Sequence, residues 1–455
     1  MSVEEQLARF VHELRLVDVS PKARQVARDI LRAVVGTAVA GASEEGIEPL
    51  RRMLLERGGT PQATVLVWGD RLPAASAAYL NGVMGRALDY CDAMAPGIHI
   101  GSSLVPAALA AAEVAGGCSG VEFLAALCAG AELSSRLNLA EDQYAGFDPT
   151  GIAAPFAATA AAARLLRLTP QQTLHALALA FNRSGGSFQS NVDGSLAVRF
   201  IQGWVAESAV HCVDLARNGV TGPRRWLDGI YGYTRLYGRG RLTGEAVAEG
   251  LGQRWAMERM MFKRFPSCGV TQGVTHLMLA AMREHDVRPA DVEAIEVRLP
   301  PYAHRLVGNA FQYGDNPRVD AQFSAQFCVA NALHRGDARL EHFTPQNVAA
   351  PELVQLMQRI TVVADPALDE RGHSSVDLQV TTRDGRARTW GLDIAPGYPG
   401  EDLKPEQHLA RFTDCMDYAA VKLAPAQQSG LLAAIDGLEQ VKDVRELLPL
   451  LMAAR

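Results

Sequence analysis

Two consecutive segments, APFAATAAAARLLRL (154–168) and TPQQTLHALALAF (169–181), decide the fold of the central part of the chain. The first consists largely of alanine, which is the best helix former and whose small side chain lets neighbouring helices approach closely. The second begins with Thr169 and Pro170, a pair typical of a helix N-cap followed by proline at the first helical position. The stretch therefore predicts a helical hairpin within a tightly packed helical domain.

The sequence outside this hairpin predicts a mainly α-helical chain with a smaller α+β part. Apolar residues recur at helical spacing through most of the first 260 residues, including a small-residue helix over 72–90, with one short strand over 63–69. After Pro266 the pattern changes to alternating, β-branched runs, and the tail from Glu406 is helical again. We therefore predict a helical domain (1–265), an α+β domain (266–400) and C-terminal helices (401–455) that return to the first domain. The four predicted strands are 292–299, 360–365, 374–382 and 388–394.

Composition excludes several classes of protein. The chain has 455 residues and a net charge of −6, with 48% hydrophobic and 21% charged residues. This is too apolar for a disordered protein, and the absence of a long uncharged apolar run argues against a membrane protein. Lys and Arg are scattered instead of forming the basic stripe typical of nucleic-acid binders, so we expect no nucleic-acid partner.

The cysteines and the N-terminal segment predict a cytoplasmic protein. The seven cysteines form no Cys-x-x-Cys pair, and an odd number in a long chain is typical of free thiols in a reducing compartment. The N-terminal MSVEEQLARFVHELRL is an amphipathic, acid-containing helix and not a signal peptide. No paired histidines are present, so no metal site is expected. No P-loop marks a phosphate-binding site, and no Gly-x-Ser-x-Gly motif marks a nucleophilic serine.

Three segments differ from ordinary helix packing. In LDYCDAMAPGIHIGSSLVPAAL (88–109), Asp89 and Asp92 have i, i+3 spacing, so on a helix both would face one cleft near His99. The alternative is a solvated loop with helix caps. In QYAGFDPTGIAAPF (143–156), Asp148 or Thr150 is expected to cap a helix, although the free N–H groups there could instead bind a carboxylate.

The third segment is FKRFPSCGVTQGVTHL (262–277). Lys263 and Arg264 precede a proline, and Cys268 stands at the start of a helix, an arrangement that suits anion binding. The segment lies where the two predicted domains meet, which is a favoured location for active sites. The alternative is a structural turn with a packed cysteine.

These segments together resemble the MmgE/PrpD family, which includes 2-methylcitrate dehydratases, cis-aconitate decarboxylases and iminodisuccinate epimerases. The resemblance covers nearly the whole chain. It is carried mainly by the stretches 87–110, 146–180, 193–223 and 320–337, together with the third segment above. It implies a large helical domain built from both chain ends, a smaller α+β lid, a homodimer, and no metal or organic cofactor. The implied chemistry removes or shifts a proton α to a carboxylate of a small carboxylic acid.

Residue by residue, the resemblance implies catalytic roles for Asp89, His99 and Lys263. His99 would be the general acid or base, oriented by Asp89, and Lys263 would hold a carboxylate. Cys268 is a fourth catalytic candidate, as a second acid or base opposite His99. The remaining candidates are assigned to substrate binding: Asp92, Asp148, Thr150, Arg199, Arg264 and Gln272.

The departures from the family pattern concern positive charge. Asp148 replaces a histidine and Val198 replaces a lysine of the usual motif, while Ala93 stands where several members have threonine. Cys268 and Gln272 stand where decarboxylases and many other members, respectively, have histidine. Because a buried carboxylate without a cation is costly, binding of a tricarboxylate is in doubt. Whether Arg199 or Arg264 compensates for the lysine missing at Val198 stays open.

Three functions are therefore compared. The first is a cofactor-independent lyase of the 2-methylcitrate dehydratase type. The second is an epimerase, isomerase or decarboxylase of the same fold, with a substrate that carries fewer carboxylates; Asp148 would then pair with a substrate cation. The third is a family member that has lost catalysis and serves as a binding protein. Retention of Asp89, His99 and Lys263 favours the two enzymes.

Overall fold

The computed structural model of the protein describes residues 1–454, with every side chain in that range except that of Val192. Arg455, the last residue of the predicted segment 401–455, lies outside the described residues. The chain divides into two compact units. Unit 1 contains Met1–Ala87, Cys91–Met260 and the chain from Cys415 onward, whereas unit 2 contains Leu88–Tyr90 and Met261–Asp414. The predicted fold class, mainly α with a smaller α+β part, is confirmed.

Unit 1 is helical apart from short strand pieces. Its helices are α1 (Val3–Glu13), α2 (Pro21–Gly41), α3 (Ile47–Arg57), α4 (Ala74–Arg86), α5 (Gly101–Val114), α6 (Gly120–Arg136), α7 (Pro149–Leu165), α8 (Pro170–Arg183), α9 (Gln189–Val192), α10 (Ala197–Arg217), α11 (Tyr233–Leu236) and α12 (Gly244–Ala248). Its strands are β1 (Ala63–Thr64), β2 (Arg71–Leu72) and β3 (Asp92–Ala93).

Helix α7 lies at the centre of unit 1, where it packs against α5, α6, α8 and α10. Small residues allow this close packing. A Cβ on Gly130 of α6 would come within 2.4 Å of the carbonyl oxygen of Ala157 in α7, so the two helix backbones lie nearly in contact there. The predicted cap of the following helix is also confirmed: the Thr169 side chain accepts a hydrogen bond from the Gln172 N–H, and Pro170 is the first helical residue. The alanine-rich stretch therefore forms the tightly packed hairpin that its composition predicts.

Unit 2 combines helices with a four-stranded sheet. Its elements are β4 (Met261–Phe262), α13 (Gln272–His285), β5 (Val292–Leu299), α14 (Pro301–Val307), α15 (Pro317–Gln322), α16 (Ala325–Arg335), α17 (Pro345–Val348), α18 (Pro351–Met357), β6 (Ile360–Ala364), β7 (Val376–Thr382) and β8 (Ala387–Leu392). Helix α19 (Pro405–Tyr418) includes the division between Asp414 and Cys415, and α20 (Pro425–Asp436) belongs to unit 1.

The sheet of unit 2 has the strand order β6-β5-β7-β8. Strands β5 and β6 are parallel, whereas β5–β7 and β7–β8 are antiparallel. Alternate residues of β7, such as Val376, Leu378 and Val380, are buried, as expected for a sheet with one covered face. Helices α13 and α16 pack against the sheet and against each other. All four predicted strands of this part are confirmed: β5 has the predicted ends, and the ends of the other three differ by at most two residues.

Two local predictions in unit 1 are wrong. The strand predicted over 63–69 is only two residues long, because Val67 takes a left-handed φ of 68° that no strand accommodates. The helix predicted over 72–90 ends at Arg86. Among the residues that the structure describes, no helix is both long enough and apolar enough to cross a membrane.

Candidate active site

The chain leaves helix α4 shortly before the first predicted catalytic residue. Asp89 has a φ of 51°, in the left-handed region that few residues other than glycine adopt. The premise that Asp89 and Asp92 share one helix face is therefore wrong. Strained backbone of this kind is concentrated at functional sites, because the surrounding structure must hold it in place.

Asp89 and Lys263 form a buried ion pair within unit 2. The Lys263 Nζ lies 2.7 Å from Oδ2 of Asp89 and donates to the Asp89 carbonyl oxygen at 3.0 Å. The two side chains are only 8% and 3% exposed. Lys263 contacts both the backbone carbonyl and the carboxylate of Asp89. It therefore stabilises the left-handed turn and balances the negative charge of the Asp89 side chain. Two of the predicted catalytic residues are thus brought together.

Gln272 holds the turn that follows Lys263. Its Oε1 accepts a hydrogen bond from the Phe265 N–H at 2.9 Å, and its Nε2 donates to the Phe265 carbonyl at 3.0 Å. The same nitrogen lies 3.2 Å from the carbonyl oxygens of Ser267 and Cys268. Gln272 is fully buried at the first turn of α13. Its side chain therefore shapes the turn on which Cys268 stands.

Arg264 is a half-buried cation paired with a neutral partner. Its Nη1 lies 3.1 Å from Nδ1 of His276, and its guanidinium lies over the Phe265 ring. Burial, together with Arg264 and Arg283, lowers the pKa of His276 to about 4. The histidine is therefore uncharged at neutral pH and accepts the hydrogen bond. Arg264 forms no ion pair with a carboxylate among the described residues, and burial lowers the pKa of its guanidinium group.

Cys268 is half-buried and precedes the first helical turn, Gly269–Thr271. Its N–H donates to the carbonyl oxygen of Gln322 at 2.9 Å. The Gln322 side chain in turn donates to the carbonyls of Leu88 and Pro266, at 2.7 and 3.0 Å. Gln322 thus joins the segment that contains Asp89 to the turn that contains Cys268. Sequence reasoning gave Gln322 no role, although it lies in a stretch that carries the family resemblance. We call Asp89, Lys263, Arg264, Cys268 and Gln272 the Lys263 cluster.

His99 lies in unit 1 and is fixed by its neighbours. Its Nδ1 lies 2.7 Å from the Asp92 carbonyl oxygen and 3.6 Å from the Cys91 sulfur. Since a carbonyl oxygen only accepts, Nδ1 carries a proton, and Nε2 would be the acceptor whenever the ring is neutral. The backbone of His99 is held as well, because its N–H donates to Thr150 Oγ1 at 3.0 Å. Its carbonyl accepts from Gln202 at 3.0 Å, a buried residue that sequence reasoning also missed.

Asp92 and Asp148 each cap a helix in unit 1. The Asp92 carboxylate accepts hydrogen bonds from the N–H groups of Ile100 and Gly101, at 3.0–3.1 Å, at the start of α5. Asp148 accepts from Thr150 and Gly151, at 2.8 and 3.1 Å, at the start of α7. Burial raises the pKa of Asp148, while these hydrogen bonds and Arg86 act in the opposite direction. The helix-cap interpretation of Asp148 is confirmed. Asp92 is fully buried, so the segment 88–109 is not the solvated loop of the alternative interpretation at this residue.

Arg199 is almost completely buried on α10. Its Nη1 donates to the Glu45 carbonyl oxygen at 2.8 Å. We call Asp92, His99, Asp148 and Thr150 the His99 cluster, and all four lie in unit 1. The structure thus brings together the first two predicted segments through the contact of His99 with Thr150. The convergence of the His99 and Lys263 clusters on one cleft stays a prediction, as does the orientation of His99 by Asp89.

Within residues 1–454, no group of three or more His, Cys, Asp or Glu side chains has an arrangement suited to a metal ion.

Comparison with known proteins identifies the family. The MmgE/PrpD N-terminal domain matches residues 5–245, and the MmgE/PrpD C-terminal domain matches residues 265–432. A cis-aconitate decarboxylase-like protein of Aspergillus oryzae is 26% identical over 82% of this chain and 82% of its own length. The human cis-aconitate decarboxylase is 23% identical over 99% of this chain and 94% of its own length, and the mouse enzyme is 24% identical over 99% and 93%. The chain therefore belongs to the MmgE/PrpD family.

Proposed function

We propose that this protein is a lyase that acts on a small carboxylic acid. Decarboxylation of cis-aconitate is the first reaction to test, because the relatives' names indicate it although the changes at Asp148 and Val198 disfavour a tricarboxylate. Family membership and the names of three relatives support a lyase of this kind. One observation carries the proposal: a buried ammonium group, that of Lys263, lies beside a strained carboxylate residue, Asp89. Such a pair can bind an anion and move a proton next to it.

The donor inventory of Lys263 supports binding of a substrate carboxylate. An ammonium group has three N–H donors; one donates to the Asp89 carbonyl oxygen, and the Asp89 carboxylate is in ion-pair contact at 2.7 Å. The remaining donor capacity of the ammonium group has no further partner among the residues that the structure describes. A buried charged donor without a partner is costly in the free protein, and a bound carboxylate would satisfy it. Arg264, which has no carboxylate partner in the same set of residues, would supply a second positive charge.

The state of His99 supports its role as the proton-transfer group. With its proton on Nδ1, the neutral ring presents Nε2 as a base, and after protonation Nε2 becomes an acid. In a decarboxylation, the C–C bond to one carboxylate breaks, CO₂ leaves, and the electron pair that remains on carbon takes a proton from such an acid. In an elimination, a base removes the α-proton while an acid protonates the hydroxyl, which leaves as water.

A second candidate is an isomerase or epimerase on a substrate with fewer carboxylates. Asp148 favours it, because a carboxylate occupies the N–H groups of Thr150 and Gly151 that would otherwise attract an anion. The half-buried Cys268 could serve as a second acid or base on the opposite face of a carbon. The dehydratase reaction stays a third possibility within the same chemistry.

One experiment separates these reactions. The protein is incubated in D₂O with cis-aconitate, citrate, 2-methylcitrate, malate and aspartate, and each acid is followed by ¹H and ¹³C NMR. Release of CO₂ from cis-aconitate supports the decarboxylase, and new olefin signals from a hydroxy acid indicate a dehydratase. Exchange of the α-hydrogen without net conversion indicates an epimerase. If a folded sample leaves all five acids unchanged, the enzymatic proposal is contradicted and the non-catalytic alternative is favoured.

The assembly and the cellular location also belong to this proposal. The resemblance predicts a homodimer, and light scattering of the purified protein would measure twice the mass of one chain if it is correct. The cytoplasmic location and the absence of a cofactor stay predictions.

A further inference from the structure

A turn near the end of unit 2 holds a tyrosine beside the Lys263 cluster. In residues 395–401 the carbonyl oxygen of Gly397 accepts a hydrogen bond from the Phe262 N–H at 3.1 Å. Gly397 has a φ of 89°, and a Cβ there would lie 2.0 Å from the Phe262 carbonyl oxygen, so only glycine fits. The turn is therefore attached to the residue directly before Lys263. Tyr398 is the next residue of that turn.

The Tyr398 side chain reaches the other end of the Lys263 cluster. A methyl group on Gly269 would come within 3.0 Å of the Tyr398 hydroxyl oxygen, which therefore faces the residue directly after Cys268. Tyr398 is 7% exposed, and its ring lies beside His373, which in turn lies beside Tyr302. The ring is thus held in place between the start of the turn at Lys263 and the start of the helical segment at Gly269.

The Tyr398 hydroxyl lacks a hydrogen-bond partner among the residues that the structure describes. The hydroxyl oxygen is not among the fully buried side-chain atoms that lack a partner, so it is accessible although the residue as a whole is only 7% exposed. Burial raises the pKa of Tyr398 well above its ordinary value, so the phenol keeps its proton at neutral pH. The hydroxyl is therefore a donor that the protein itself does not use.

Two backbone donors lie at the same place. The N–H groups of Gly269 and Val270, in the first helical turn after Cys268, form no hydrogen bond within the described part of the chain. The first N–H groups of a helical segment have no partner inside it and project outward from its N-terminal end. Together with the Tyr398 hydroxyl, which faces Gly269, they form a group of donors directly after Cys268, at the end of the turn that begins with the cations Lys263 and Arg264.

We propose that the Tyr398 hydroxyl is a substrate-contact group that donates a hydrogen bond to a carboxylate oxygen of the substrate, alongside the N–H groups of Gly269 and Val270. This inference rests on the proposed function, because it assumes a carboxylic acid substrate. A carboxylate fits better than an alcohol or an amine, since it is an acceptor on every side and would be favoured by the neighbouring cations. Tyr398 would thus help to set which carboxylic acids the enzyme accepts.

The test compares Tyr398→Phe with the wild-type protein and with Tyr313→Phe, which removes a hydroxyl from a tyrosine that is 54% exposed in the same unit. Binding of tricarballylate, a saturated tricarboxylic acid that cannot eliminate water, is measured by isothermal titration calorimetry. Turnover is measured on whichever acid of the NMR panel reacts. Thermal unfolding of all three proteins reports the structural effect.

We expect Tyr398→Phe to raise the Kd for tricarballylate, and the KM of the reacting acid, by about 10- to 100-fold, as for loss of a hydrogen bond to a charged group. The Tm should stay within about 2 °C of wild type, because the hydroxyl has no partner in the free protein. Tyr313→Phe should leave all values unchanged. A purely structural role would instead lower the Tm and leave the Kd unchanged.

The outcomes separate the inference from the proposed function. If the wild type binds and reacts while Tyr398→Phe matches it in Kd and KM, the inference is wrong and the function stands. If the wild type binds tricarballylate in a Tyr398-dependent manner without turnover of any acid, the inference stands and the enzymatic function fails. If the wild type shows neither binding nor turnover, both are overturned.

Discussion

Lys263 and Asp89 show how a single pair of residues serves both stability and chemistry. Removing one partner of a buried ion pair leaves the other charge unpaired, which costs about 3–5 kcal/mol. We therefore expect Lys263→Met to lower the free energy of unfolding by that amount and to abolish turnover. Urea denaturation and the NMR panel measure the two effects. The double variant Asp89→Asn/Lys263→Met should regain much of the stability and none of the activity, because no charge is left unpaired.

The matched control is an exposed ion pair of the same unit. Arg298 and Glu296 lie 2.7 Å apart, with side chains that are 47% and 38% exposed. Since exposed pairs contribute about 0–1 kcal/mol, Arg298→Met should change stability little and leave activity intact. If Lys263→Met is no more damaging than Arg298→Met, the structural importance of the buried pair is refuted.

The tautomer of His99 can be tested without any substrate. The contact of Nδ1 with the Asp92 carbonyl predicts that the neutral ring carries its proton on Nδ1. Long-range ¹H–¹⁵N NMR of the histidine side chains, with the signals of His99 assigned by loss in His99→Asn, should show this state. A neutral ring protonated on Nε2 would contradict the geometry.

The same variant tests the catalytic role of His99. Asparagine can still donate to the Asp92 carbonyl but has no group in place of Nε2, so His99→Asn should keep the fold and lower kcat by about 10²- to 10⁴-fold. The exposed His334 provides the control, since His334→Asn should leave kcat unchanged. Full activity of His99→Asn would remove His99 from the proposed mechanism.

At the scale of elements, the turn between β4 and α13 depends on one amide side chain. Gln272→Leu leaves the Phe265 N–H and several buried carbonyls without a partner, at a cost of about 1–3 kcal/mol for each unsatisfied group. We expect it to lower both the free energy of unfolding and the turnover, because the turn that carries Cys268 loses its support. Urea denaturation and the NMR panel test this.

Gln326 provides a control with the same chemistry. Its side chain accepts from the Phe311 N–H and donates to the carbonyls of Met357 and Ile360, at 2.8–3.0 Å, within unit 2. Gln326→Leu should cost similar stability while the remaining folded protein keeps its activity. If the two variants lose activity equally, the turn has no special role.

The helix ends show which elements could be predicted from local sequence. Thr169 and Pro170 specify the start of α8 through their own side chains, so the prediction is confirmed. The end of α4 at Arg86 was not predicted, because the following residues have helical spacing and no local stop signal. The chain turns there because Asp89 takes a left-handed conformation, held by Lys263 from a distant part of the chain.

At the scale of the whole molecule, one buried carboxyl group links stability to pH. Asp414 accepts hydrogen bonds from the Leu340 N–H at 3.0 Å and from Arg339 at 3.2 Å, and burial raises its pKa to about 6. Between about pH 4 and 6 the folded protein keeps a proton that the unfolded chain has released. This bound proton therefore stabilises the folded protein fully below about pH 4. The stabilisation, on the order of 3 kcal/mol, is lost as the pH rises to 6.

Asp414→Asn should remove this dependence, because its side chain does not titrate. We expect the difference in unfolding free energy between wild type and variant to shift in favour of the variant as the pH rises from 4 to 6, and to stay constant above about pH 7. Urea denaturation over this range is the measurement. A pH-independent difference would show that the pKa of Asp414 is not raised in the folded protein.

The chain's local chemistry determines its elements, and only the tertiary contacts determine what its polar residues do. Alanine content, periodicity and caps are properties of neighbouring residues, so the helical part, the four strands of the α+β part and the family could all be inferred from the sequence. The pairing of Asp89 with Lys263, the support of the turn by Gln272 and the open hydroxyl of Tyr398 join residues up to 174 positions apart. No local pattern records such contacts, since they form only when the folded backbone brings distant side chains within hydrogen-bond distance.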